Sequence, residues 1–176
     1  MIFKTMTTCG FLSAMMFAGA ASAQNQSENR VAAESDWAVY VEASPRECWA
    51  VSAPVETINT RDGSAVDVRR GDIQLIVFYR PSDNIAGQVM FAGGYPFAPG
   101  STVALSIGGT SYELFTEGDF AWPASAADDA SIIAAMKRGA DATAVGRSGR
   151  GTQTSDKFSL IGFTAAVDEA GSRCAG

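Results

Sequence analysis

The sequence contains no histidine. That absence removes every serine or cysteine nucleophile that relies on an imidazole base. It also removes every zinc, copper or iron site that relies on a histidine ligand. Catalysis would fall to carboxylates, Lys, Arg or Tyr, and no motif points to a cofactor or a metal. Cations are scarce too: 13 Lys and Arg stand against 19 Asp and Glu, a net charge of −6. Nucleic acid calls for a basic stripe, and anionic lipid calls for bulk positive charge, so neither is expected as a partner. Cysteine is limited to Cys9, Cys48 and Cys174, none in Cys-x-x-Cys spacing. The one long apolar run, Phe11–Ala21, falls short of the ~20 residues that cross a bilayer.

What is present begins with an address. Lys4, the apolar run and Ala21-Ser22-Ala23 before Gln24 have the order of a cleavable signal peptide over residues 1–23. Its removal takes away one cation and no anion, together with Cys9, and leaves no transmembrane segment. The chain is therefore expected in the periplasm, an oxidising compartment. The two remaining cysteines, Cys48 and Cys174, are expected to pair there. That bond ties the closing stretch Phe158–Cys174 back to the first strands. The remaining ~150 residues suffice for one domain with its own core. A polar leader over residues 24–35 is expected to be flexible, with a single domain over residues 36–176.

Strand patterns dominate that domain. Trp37, Val39 and Val41 alternate with Ala38, Tyr40 and Glu42, and Cys48–Ser52 alternates likewise. Val55–Thr60 is extended up to an Arg61-Asp62-Gly63 turn. Ile73–Tyr79 is almost continuously apolar, the pattern of a strand covered on both faces, and Pro81 stops it. Gly87–Ala92 follows, then the loop Tyr95–Gly100. Gly108-Gly109 between Ser101–Ile107 and Thr110–Thr116 predicts a tight hairpin. Ser125 with Asp128 predicts a capped helix over Ala127–Arg138, with Gly139 as its C-terminal cap. Ala140–Val145 and Thr152–Leu160 read as strands around the turn Arg147–Gly151, and TAAVDEA reads as a short closing helix. Nine or ten strands joined by short turns predict a mainly β fold. It is an antiparallel β-sandwich or flattened barrel with one main α-helix and a short C-terminal helix.

These features together resemble the invasion-associated locus B family. The likeness rests on Trp37, Cys48-Trp49, a late helix followed by Gly, and FSLIGFTAAVDEA ending in Cys174. Its most specific part is Ser159-Leu160-x-Gly162-Phe163-x-x-Ala166, and it spans about Trp37 to Cys174. The resemblance implies a β-rich, exported, periplasmic or envelope-associated domain.

Four stretches carry candidate chemistry, each beside a structural reading. Arg70-Gly71-Asp72 is an adhesion tripeptide if exposed, and otherwise only the lead into a buried strand. Tyr95, Phe97 and Trp122 form either an aromatic platform for a partner or local loop packing. Arg147 and Arg150, in a Gly-Arg-Ser-Gly-Arg-Gly run, either cradle an anion or sit in a solvated turn. Glu113, Glu117 and Asp119 match no calcium-loop spacing, and Asp128 and Asp129 suit a helix start. No catalytic residue is assigned. The chain reads as a non-enzymatic exported protein that binds an unknown protein or envelope component through its loops. The alternatives are a periplasmic carrier of a small molecule or glycan, and a carboxylate-based hydrolase.

Overall fold

The computed structural model describes residues 29–175. The leader read over residues 1–23, and residues 24–28 after it, lie outside that span. In chain order the elements are β1 (Arg30–Glu34), β2 (Trp37–Ala43), β3 (Arg46–Ser52), β4 (Glu56–Arg61), β5 (Ser64–Ala65), β6 (Gln74–Arg80), β7 (Ile85–Ala92), β8 (Thr102–Ile107), β9 (Thr110–Glu117), β10 (Phe120–Trp122), α1 (Ala126–Met136), β11 (Asp141–Arg147), β12 (Gln153–Ser159) and α2 (Phe163–Ala175).

Among the described residues the strands form one open, wholly antiparallel sheet, ordered β1-β2-β3-β6-β7-β10-β9-β8-β11-β12-β4-β5. Period-two patterning decides which face each side chain takes. Val103, Leu105 and Ile107 of β8 are buried between exposed Ala104 and Ser106, and Thr154, Asp156 and Phe158 of β12 point inward in the same way. A twisted sheet this wide curls, and the curl brings β7 against β12. Phe91 and Phe158 meet edge to face with ring centroids 6.1 Å apart, and the Trp37 indole N–H donates to the Ser159 carbonyl at 3.0 Å. The mainly β expectation holds, with the sheet wrapped around a single core. On the outer face of β2, β3 and β6, Tyr40, Trp49 and Phe78 form a cross-strand aromatic ladder.

The sheet has more strands than the sequence predicts, and the additions are its weakest patterns. Residues 30–34, expected in the flexible leader, are β1. It pairs with β2 through Glu34↔Trp37 and Ala33↔Ala38 and moves the start of the domain forward. An edge strand needs one bonding neighbour and little apolar area, so its polar sequence is no obstacle. β5 and β10 are only two and three residues long.

The Ser125 cap forms as predicted: its hydroxyl accepts the Asp128 N–H at 3.2 Å and donates to the Asp128 carboxylate at 2.6 Å. α1 ends at Met136, and Gly139 keeps ordinary backbone angles instead of acting as a left-handed cap. It is small because Ile107 and Leu160 press on it: a Cβ there would sit 2.9 Å and 3.0 Å from their side chains. Asp129 does more than charge the helix start. It is buried and accepts the Val89 N–H at 2.8 Å, pinning α1 to β7. Burial raises its carboxyl above the ordinary 3.8; the Val89 bond opposes the rise, and the Asp128 charge adds to it. Folded Asp129 thus holds its proton to higher pH than the unfolded chain does. Its stabilising contribution is complete below 3.8 and is lost as pH rises through the raised value. Asp129→Asn keeps an acceptor for Val89 and should abolish that loss. Its melting temperature should gain on wild type as pH increases from acid to neutral, and parallel profiles would refute this linkage.

α2 is longer than TAAVDEA. Phe163, Ala166, Val167, Ala170 and Cys174 make its buried stripe at helical spacing. Phe163 packs edge-on against Trp37 at 4.8 Å, and its full burial contributes roughly 1.5–3 kcal/mol. Gly171 does not end the helix. It lets the backbone pass Tyr79, whose ring lies 3.2 Å from where a Cβ would stand. Gly162 starts the last segment with φ +89°, and a Cβ there would fall 1.9 Å from the Glu34 carbonyl, so only glycine fits between β12 and β1. Cys174 is bonded to Cys48, with Cα atoms 5.8 Å apart.

Candidate functional site

Arg70 organises one end of the molecule. Its Nη1 and Nη2 donate to the two carboxylate oxygens of Asp156, both at 2.7 Å. Its Nε and Nη2 also donate to the Gly93 carbonyl, at 3.0 Å and 2.7 Å, and Nη1 reaches the Asn59 amide oxygen at 3.3 Å. The two charged side chains are 6% and 0% exposed. Asp156 further accepts the Thr57 hydroxyl at 2.9 Å. A desolvated pair with every donor engaged is a structural joint: it fixes the segment before β6 to β12 and to the loop after β7.

Above this joint lies a cleft of about 590 Å³. Its walls are the end of β4, the segment 67–70, the β7–β8 loop at 94–96 and the β11–β12 turn at 148–152. These loops are tied to one another. The Gly149 N–H donates to the Pro96 carbonyl (3.0 Å), Ala98 to Arg147 (2.9 Å) and Gly71 to Gly94 (2.9 Å), and Phe97 bridges to Ser148. The cleft is therefore preformed. Arg61, Arg69 and Arg150 line it beside Asp67. Arg61 spends one N–H on the Thr152 hydroxyl at 2.7 Å. Tyr95 stands in the wall with the Arg70 guanidinium 5.0 Å over its ring and its hydroxyl 2.6 Å from that of Thr154. Burial raises the Tyr95 hydroxyl above its ordinary value.

A second feature lies on the outside of β9 and β10. Phe115 pairs in register with Trp122, and the Phe120 ring is 5.8 Å from that of Trp122. Alternation puts all three on one face. Phe115 is 50% and Phe120 41% exposed, and Phe115, Glu117 and Trp122 line a shallow hollow of about 410 Å³ ending at Pro123 and Ala124.

A family model described as invasion associated locus B (IalB) protein matches residues 47–171. The chain belongs to the IalB family. The match runs from β3 into α2, so it holds the cleft and the aromatic strip, while β1, β2 and Cys174 lie beyond it. No curated protein and no solved structure matches the chain.

Within this IalB domain the residues singled out from the sequence are dispersed. Tyr95 lines the cleft, Phe97 is buried against Phe91 and Tyr95, and Trp122 belongs to the outer strip, so the three share no platform. Trp122 finds its aromatic neighbours in Phe115 and Phe120 instead. Arg150 lines the cleft; Arg147 is exposed at the end of β11 and does not. The Arg70-Gly71-Asp72 tripeptide exposes its Asp but buries its Arg against Asp156, which leaves no guanidinium for an adhesion receptor. The Glu113 carboxylate accepts the Thr102 hydroxyl at 3.0 Å. Among the described residues no three acidic or cysteine side chains gather around one point.

Proposed function

We propose that this IalB-family chain is an exported, periplasmic, non-enzymatic protein that binds a protein or envelope component through the face carrying Phe115, Phe120 and Trp122. The aromatic strip carries this reading. Large apolar rings exposed together on a rigid strand pair are unusual for a surface without a partner, and aromatics are the residues enriched where partners dock. Export is supported by the Lys4 to Ala23 leader pattern and by the Cys48–Cys174 bond, which suits an oxidising compartment. The non-enzymatic reading rests on the lack of imidazole and on the use of Asp129 and Asp156, the two buried carboxylates among the described residues, as structural acceptors.

A photo-crosslinking residue placed at Phe115 or Phe120 in the exporting cell tests it. One discrete adduct is expected from both positions and none from Val55, which is exposed in the bend before β4. The absence of any adduct, or the same adducts from Val55, would reject the strip as the docking face.

A further inference from the structure

We infer that the arginine-lined cleft is a binding site for a small anionic sugar, its phosphate or carboxylate group held by Arg61, Arg69 and Arg150. The cleft shares no residue with the aromatic strip. Four of the chain's 13 cationic residues line this one cleft, in a protein of net charge −6. Asp156 neutralises Arg70 below it, and Asp67 offsets only one of the remaining three guanidiniums. The rim therefore holds a local excess of positive charge on an acidic molecule, and a recessed wall focuses that field. Arg69 and Arg150 form no ion pair among the described residues, and Arg61 has one N–H committed to Thr152. Planar guanidinium forks on three separate segments suit an oxyanion approached from several sides.

The space far exceeds what a bare anion requires. Its volume is in the range of organic-ligand sites. The wall offers the Tyr95 ring, Pro96 and Val68 as apolar surface, while the hydroxyls of Ser148 and Thr154 are turned inward, Thr154 to Tyr95 and Ser148 to the Thr152 N–H. Ring surface on the wall, with guanidinium donors at the rim, is the chemistry that takes a sugar body and its charged substituent together. The ties between the β7–β8 loop and the β11–β12 turn hold this arrangement without a ligand, so little ordering cost opposes binding.

Calorimetric titration of the disulfide-intact protein at low salt, with glucose 1-phosphate, glucuronate, inorganic phosphate and glucose as probes, tests the inference. Glucose 1-phosphate or glucuronate should bind, the better of the two naming the anionic group, while glucose should not. Arg69→Ala and Arg150→Ala should each weaken binding about tenfold, as expected for loss of a charge-assisted contact, and Arg147→Ala, on the same hairpin but outside the cleft, should leave it unchanged. Raising salt to about 0.5 M should weaken it further. Melting temperatures of these surface variants should match wild type, which separates lost binding from lost fold. The inference is overturned if neither anionic sugar binds below about 1 mM or if glucose binds equally well. It is also overturned if inorganic phosphate binds as tightly as the sugars, or if Arg147→Ala costs as much as Arg150→Ala.

Discussion

Exchanging both Cys48 and Cys174 for alanine is expected to lower the free energy of unfolding by about 4–5 kcal/mol, near the top of the range for single disulfides. The bond spans 126 residues of sequence, and the loop-closure entropy it removes from the unfolded chain grows with that span. Both cysteines are changed together so that no free thiol is left. The helix should nevertheless stay in place, since Phe163, Ala166, Val167 and Ala170 bury their side chains whether or not the sulfurs are joined. The measurement is urea unfolding of wild type, oxidised and reduced, beside the double variant. The reduced protein and the variant should agree, with near-ultraviolet circular dichroism preserved before the transition. A loss below about 1 kcal/mol would mean that the unfolded chain is already compact around these two ends.

Removing one partner of the Arg70–Asp156 pair should do comparable damage. Asp156→Ala leaves a guanidinium almost without access to water, and Arg70→Ala leaves a carboxylate with only the Thr57 hydroxyl. Either change is expected to cost about 3–5 kcal/mol, or a fall of roughly 10 °C in melting temperature for a domain of this size. Arg70→Met with Asp156→Leu should recover much of the loss, because the penalty lies in the uncompensated charge. Thermal unfolding of the two single variants and the double variant decides it: a double variant as unstable as the singles would show that the hydrogen bonds to Gly93 and Asn59 carry the joint instead.

The parts of the fold legible in the sequence are those with a local signature. Strict alternation marks β2, β3 and β8; Gly108-Gly109 marks the β8–β9 hairpin; Ser125 with Asp128 marks the start of α1. Cys48 and Cys174 are expected to pair, and the structure contains that bond. β1 was hidden because an edge strand draws its stability from a neighbour's bonding edge, which no pattern within Arg30–Glu34 encodes. The site was harder. Arg70 and Asp156 are 86 residues apart, and the cleft above them draws on segments with no common spacing. Phe97 sits in a loop, where periodicity gives no inward or outward side. Phe115 and Trp122 become neighbours only through the β9–β10 register, and the three-residue β10 carries almost no pattern of its own.

The covalent link between β3 and α2 has one more effect. It makes a ring of nearly the whole domain, so a protease that cuts a single exposed loop between its two anchors releases nothing. The severed halves stay attached, still threaded through one shared sheet, and have the opportunity to settle back together.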